Sequence, residues 1–282
     1  MSTPEIIAEN FVFPECPRWR EDGLWFSDMH GGEVVHLSPD GAVLERFGVP
    51  GGPSGLGWLP DGQMLIVSIG KLCVFRRDAQ RELNLHADLS PWHRFHSNDM
   101  VVDSKGNAYV GEVGFRMGKE EERHTAVVLV RADGSAEVGA QPLFTPNGAV
   151  ISGDGKTYVV AESAARRLTA FTVLPDGTLT DPRLFTQFEV DIPDGICIDA
   201  EGCIWIASPF ARSVVRVSEK DGIVDRITMP EGLQVYACML GGSDRRDLYI
   251  CCAPDHNPAK ARELRRGAVA RVRVAISGTG CP

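Results

Sequence analysis

One short unit recurs six times along this chain, and few folds can accommodate it. Each copy opens on a turn ending in Asp-Gly or Gly and runs through three to five apolar residues; a second apolar run follows, often before another Asp-Gly turn. The first runs read EDGLWFSD, PDGQMLIVS, SKGNAYVGE, GDGKTYVVAE, AEGCIWIAS and RRDLYICCA. Their partners read EVVHLSPDG, KLCVFRRD, AVVLVRADG, RLTAFTVLPDG, SVVRVSEKDG and GAVARVRV. With Gly23, Gly62, Gly106, Gly155 and Gly202 as markers, successive units lie 39, 44, 49 and 47 residues apart, and the sixth follows about 44 residues later. That period is the length of one propeller blade, and short β-branched and aromatic runs broken by Gly, Pro and Asp turns are strand signals. The expectation is an all-β, six-bladed β-propeller with four-stranded antiparallel blades around a central channel, formed by residues 1–282 as a single domain. Glu5 to Phe11 precedes the first full unit and is expected to supply the outer strand of the last blade, closing the ring. Helical periodicity is weak everywhere except around Asn257 to Arg266, read as a loop, and residues 277–282 read as a flexible tail.

Aligned repeats reveal which residue types share one position. Eight residues before each marker stand Glu15, Ser54, Asn98, Asn147 and Asp194, each carrying an oxygen; in the sixth unit the equivalent falls near Cys238. The first strand of a propeller blade lies nearest the axis, so these positions face one another at one end of the channel. Two carboxylates and two amide carbonyls, without His or Cys, make a hard oxygen site. The channel is therefore expected to contain one divalent metal cation, Ca²⁺ first, with Mg²⁺, Mn²⁺ or Zn²⁺ as alternatives. Taken singly, Asn147-Gly148 and Asp194-Gly195 would read as ordinary turns; their common register argues against that.

The charge balance agrees. The net charge of −9 disfavours nucleic acid or an anionic membrane surface as a partner. No apolar run approaches the roughly 20 residues of a membrane span, and MSTPEIIAENFVF lacks the basic start and apolar core of an export signal, so a cytoplasmic location is expected. The eight cysteines lie singly in apparent strands or as the vicinal Cys251-Cys252 pair, with no Cys-x-x-Cys, and read as buried free thiols.

At these same residues the chain resembles the SMP-30, gluconolactonase and regucalcin (LRE-like) family of six-bladed propellers. The resemblance rests on PECPRW at 14 to 19, SNDMVVDSKGNAYVGE at 97 to 112, TPNGAVISGDGKTYVVAES at 145 to 163 and IPDGICIDAEGCIWIAS at 192 to 208. It implies one catalytic divalent cation held by Glu15, Asn147 and Asp194, with Asn98 reaching the metal or its bound substrate. Where sugar-lactone members carry Arg-Phe-Asn-Asp-Gly, this chain has His96-Ser97-Asn98-Asp99-Met100, and the glutamate expected further on is missing from Gly114-Phe115-Arg116-Met117. A hydrated polyol would lose partners from both changes, so the substrate is expected to be a lactone or related ester other than a simple aldonolactone.

On this reading the protein is a metal-dependent hydrolase. A cation polarises the ester carbonyl and Asp194 takes a proton from the attacking water. Asn98, His96, Asp99, Glu112 and Arg116 are candidate substrate-binding residues. Asp99 reads equally as a turn cap, Glu112 and Glu162 equally as ion-pair partners of Arg116 and Arg166, and His93 or His96 as a substitute base. Trp19, Trp25, Trp58 and Trp205 read as packing between blades, Trp92 as lining the pocket mouth. Three alternatives stand beside this one: phosphoester hydrolysis at the same site, a binding module with a structural ion, and a metal-independent biosynthetic propeller. Fold alone does not separate them.

Overall fold

The computed structural model describes residues 3–20, 23–116 and 119–281; the Glu21-Asp22 turn of the first unit and Met117 lie outside them. Strand β1 (Glu5–Phe11) comes first. Blade 1 follows with β2 (Pro14–Arg20), β3 (Gly23–Asp28), β4 (Glu33–Leu37) and β5 (Val43–Gly48). Blade 2 comprises β6 (Pro53–Trp58), β7 (Met64–Ser68), β8 (Cys73–Arg77) and β9 (Leu83–Asp88). Blade 3 comprises β10 (Ser97–Val102), β11 (Ala108–Glu112), β12 (Thr125–Val130) and β13 (Ala136–Leu143), and blade 4 β14 (Pro146–Ile151), β15 (Thr157–Glu162), β16 (Arg167–Val173) and β17 (Leu179–Gln187). Blade 5 has β18 (Ile196–Ile198), β19 (Ile204–Ser208), β20 (Ser213–Ser218) and β21 (Gly222–Thr228). The last blade takes β22 (Gln234–Gly241), β23 (Asp247–Ala253) and, after the short helix α1 (Pro258–Leu264), β24 (Gly267–Arg273).

Each blade is a four-stranded antiparallel sheet in chain order, except that the sixth runs β22-β23-β24-β1. The first strand of the chain thus pairs with the last, Glu5 opposite Arg271 and Phe11 opposite Gly267, and the ring closes as the position of Glu5–Phe11 predicts. Without β1 the β24 edge would stand open.

The second strands are buried on both faces. MLIVS of β7 and IWIAS of β19 are buried throughout, which explains their continuous apolar runs. Their side chains fill the spaces between blades, as in the cluster joining Leu24 and Phe26 of blade 1 to Tyr249 and Ile250 of blade 6 and Trp205 of blade 5. Trp19 stacks on Tyr249 at 5.1 Å and Trp25 meets Trp58 at 6.1 Å, so these tryptophans pack between blades. Trp92, expected at the pocket mouth, instead packs on the core shared by blades 2 and 3.

The C-terminal segment is not a loose tail. Ile151 and Cys281 form a two-way backbone bridge, Thr279 N–H donates to the Ile198 carbonyl at 3.1 Å, and Ala200 N–H donates to Ser277 at 2.8 Å. Ile151 and Ile198 end inner strands, so residues 277–281 lie across the channel at the end opposite Glu15 and Asn147. Its Ser and Gly content suggested disorder; backbone pairing with two inner strands outweighs composition. Around Asn257 the chain forms the helix α1 rather than a plain loop, with the Asn257 side chain capping Ala259 and Lys260 N–H.

Candidate channel site

Glu15, Ser54, Asn98 and Asn147 are each the second residue of an inner strand, and Asp194 stands two residues before β18. At this point β2, β6, β10 and β14 each break register, between Glu15 and Arg18, Pro53 and Leu56, Ser97 and Met100, and Pro146 and Ala149. Such bulges re-aim side chains at the rim of a sheet. In β2 the bulge is carried by Cys16 at φ 49°, a left-handed backbone rare outside glycine, and its N–H donates to Glu15 Oε2 at 2.8 Å.

The glycines after Asn147 and Asp194 have a different purpose from turn glycines. Neither has positive φ. A Cβ on Gly148 would lie 2.6 Å from Ile196 N and 2.7 Å from the Asp194 carbonyl, and one on Gly195 would lie 2.4 Å from Ala237 Cβ. Gly148 N–H donates to the Asp194 carbonyl at 3.3 Å and Gly195 N–H to Tyr236 at 2.8 Å. Glycine is required here because adjacent inner strands touch, and that contact draws the side chains into one ring.

Within the ring Asn147 Nδ2 donates to Asp194 Oδ1 and, at 3.2 Å, to Ser163 Oγ. Its donor side is committed, so a ligand would meet its carbonyl oxygen. Asn98 Nδ2 reaches the Pro146 carbonyl at 3.4 Å. Burial, opposed by the Asn147 amide, pushes Asp194 up to about 8, with Asp99 adding to the rise. Burial and then the negative charge of Asp194 hold Glu15 well above the usual carboxylate range, against the Cys16 N–H. The Asp194 carboxylate thus adds to the cost of ionising Glu15, and Asp99 to that of Asp194.

Asp99 lies behind this ring. It is 3% exposed, and its Oδ1 accepts from Met100 N–H at 2.7 Å and from the Arg18 guanidinium at 2.6 Å. Arg18 also donates to the Leu56 carbonyl at 3.0 Å, so one buried cation ties inner strands β2, β6 and β10 beneath the site. Glu112 is not beside the channel ligands. Its Oε1 accepts from Phe95 N–H at 2.8 Å and from Arg94 N–H, and its Oε2 from the Thr125 hydroxyl. Blades 1, 4 and 5 have a counterpart at the end of the second strand. Asp28 accepts from Val12 and Phe13 N–H, Glu162 from Phe144 N–H and Arg167, and Ser208 Oγ from Ile192 N–H. These side chains hold the segment that enters the inner strand, and a polar residue five to seven positions after each marker glycine was the sequence signal for it. Glu162 pairs with Arg167 rather than Arg166, for the same reason.

His96 and Arg116 lie on the rim of blade 3. His96 is exposed and stacks on Phe95 at 3.8 Å, with the Arg116 guanidinium 5.8 Å from the same ring. Partial covering of the ring, then the Arg116 charge, lowers the His96 imidazole below its ordinary value. His93 is buried instead, with Nδ1 2.8 Å from Ser97 Oγ and the value pushed down to about 4 by burial, against the Glu112 charge.

The sixth blade departs from the expected register. Gln234 pairs with Ala253 as Pro146 pairs with Glu162 and Ser97 with Glu112. Val235 and Tyr236 therefore stand where Asn147 and Gly148 do. Cys238 lies deeper, its thiol 3.9 Å from Cys197 Sγ and 3.4 Å from the Trp205 carbonyl. Tyr236 is the residue that sequence reasoning missed. It is 3% exposed, and burial followed by the charge of Asp194 raises its phenol.

Among the described residues no group of three or more His, Cys, Asp and Glu side chains forms a metal cluster. The donor set here is two carboxylates plus amide oxygens, with no cationic side chain lowering Asp194. That chemistry fits a hard divalent ion.

A six-bladed propeller with such a ring at the mouth of its channel defines a class of proteins. Residues 13–254 match the model of the SMP-30/Gluconolactonase/LRE-like region, and the chain belongs to that family. It is 25% identical over 287 residues to 6-deoxy-6-sulfogluconolactonase of Pseudomonas putida, covering 98% of this chain and 96% of that protein. It is 24% identical over 258 residues to regucalcin of Oryctolagus cuniculus, covering 89% and 86%. The crystal structure of a calcium-binding regucalcin from Agrobacterium tumefaciens superposes with a TM-score of 0.82 at 22% identity, over 100% and 99% of the two chains; this likeness bears on the fold. No helix among the described residues is long and apolar enough to cross a membrane.

Proposed function

We propose that this protein is a divalent-cation-dependent hydrolase of a lactone or related ester. The observation that carries the reading is the pair of carboxylates Glu15, buried, and Asp194, half-buried and bonded to Asn147, both raised above the usual range at the channel mouth of a chain whose family includes named lactonases. Glu15, Asp194 and the carbonyl oxygens of Asn147 and Asn98 would hold the cation, with Ca²⁺ the first candidate. When bound it supplies polarisation of the ester carbonyl and a lowered pKa for bound water.

Asp194 acts as general base. It takes a proton from the water that attacks the carbonyl carbon and returns it to the ring oxygen as the acyl-oxygen bond breaks, so lactone and water become one hydroxy acid. Only its carboxylate form can accept, and a neighbouring positive charge favours that form. Asn147 orients Asp194 through Nδ2. Arg18 and Asp99 fix the inner strands below and touch no substrate. His96 and Arg116 form the blade 3 rim, where an incoming ester meets an imidazole and a guanidinium stacked on Phe95.

The test is a lactone and ester panel assayed on chelator-stripped protein with Ca²⁺, Mg²⁺, Mn²⁺ and Zn²⁺ added singly. Saturable, cation-dependent release of acid is expected. Absence of turnover on every substrate would favour a binding module, and turnover indifferent to the cation would favour a metal-independent enzyme.

A further inference from the structure

On the side of blades 5, 6 and 1 the channel mouth is walled by rings. The Tyr236 carbonyl accepts from Gly195 N–H at 2.8 Å, which seats Tyr236 beside Asp194. Phe13 packs on Tyr236 at 4.5 Å and His30 stacks on Phe13 at 4.4 Å. His30 Nε2 lies 3.1 Å from the His256 carbonyl, and Phe210 stands edge-on to the His256 ring at 6.2 Å. Phe210 is 64% exposed. It follows closely on Ala207, whose carbonyl accepts the Asp194 N–H at 3.0 Å, so a large apolar ring is held in water near the general base.

The Tyr236 and Asp255 side chains on this wall are already engaged. The Tyr236 hydroxyl donates to Gln234 at 2.6 Å, and Asp255 accepts from Asn257 N–H at 2.8 Å and faces Lys260 at 3.2 Å. Resting on the hydrolase reading above, we propose that the site takes a lactone or ester carrying an apolar alkyl or aryl substituent, seated against the exposed Phe210 ring, in preference to a polyhydroxylated one. The substituent covers the Phe210 surface that otherwise stays in water. Sugar hydroxyls pressed on the same face would give up water without gaining partners.

The experiment combines kinetics with binding. Measure kcat/KM of the cation-supplied protein for a hexyl- or phenyl-substituted δ-lactone and for an aldono-δ-lactone. In parallel, measure calorimetric binding of 2-hexylcyclohexanone, which keeps a carbonyl but has no ester bond to break. The substituted lactone is expected to be preferred by at least about tenfold, and Phe210→Ser, at an exposed position, to reduce that preference about tenfold through KM. A preference for the polyhydroxylated lactone, or a ratio unmoved in Phe210→Ser, overturns the inference and leaves the hydrolase reading standing. Ketone binding weakened by Phe210→Ser without turnover of either lactone keeps the wall and overturns the hydrolase reading. Neither turnover nor ketone binding overturns both.

Discussion

Asn147 and Asp194, 47 residues apart in the chain, are joined by a hydrogen bond from Nδ2 to Oδ1 across two neighbouring blades. This contact makes the site a property of the ring and not of any one blade.

Asp194→Asn separates the chemistry from the fold. Removing a general base typically costs about 10²–10⁴-fold in rate. Stability should not fall, because the substitution removes a half-buried carboxylate that no cationic side chain offsets. Expected outcomes are a collapse of kcat and a cation-free melting temperature equal to or above wild type. A large drop in melting temperature would mean that Asp194 is chiefly structural.

Cation affinity should depend on pH in a defined direction. Asp194 is raised from 3.8 to about 8, so in the cation-free fold it holds a proton that the unfolded chain has lost between those values. This group's contribution to cation-free stability is therefore present at low pH and declines as pH rises from about 4 through 8. Binding must displace the proton, so affinity should weaken as pH falls below about 8 and binding should release protons. Calorimetry in buffers of different ionisation enthalpy measures that release directly.

Gly148→Ala and Gly195→Ala should be more damaging than their place beside turn-like motifs suggests. The added methyl would meet Ile196 N at 2.6 Å or Ala237 Cβ at 2.4 Å, an overpacking that costs about 1–3 kcal/mol. Urea melts should show the loss, and cation affinity should fall with it as the inner strands part. Gly155→Ala is the control for a positive-φ turn glycine with open space around it.

His93 gives a second pH window of opposite sign. Its folded value is lowered from 6.5 to about 4 by burial, so the unfolded chain binds more protons between these values. The stability it contributes is present above about 6.5 and is lost as pH falls toward 4, on the order of 1–3 kcal/mol. In His93→Gln, denaturant melts between pH 4 and 6.5 should show a flatter slope than wild type.

The blades were legible because marker glycines and apolar runs repeat at blade length, and the shared strand register of Glu15, Asn147 and Asp194 because the same count reaches each of them. Tyr236 was not, since the sixth unit reads RRDLYICCA with no marker glycine and the count landed on Cys238. Glu112 was misplaced because a carboxylate at a strand end near a channel looks like a ligand; only its amide partners at Arg94 and Phe95 reveal a loop clamp shared with Asp28 and Glu162. The bulge at Cys16 leaves no signature, because a non-glycine residue adopts the left-handed backbone there. The closing segment at 277–281 is held by backbone hydrogen bonds to Ile151 and Ile198, to which side-chain composition is blind.

The most direct measurement follows lactone hydrolysis and cation binding together as Ca²⁺ is titrated into chelator-stripped protein, in wild type and in Glu15→Gln. The account predicts negligible rate before addition, a rise in rate with the same midpoint as the binding isotherm, and both midpoints displaced by the same factor in the variant. Full activity in the stripped protein, or a Glu15→Gln variant whose two midpoints match wild type, would contradict it.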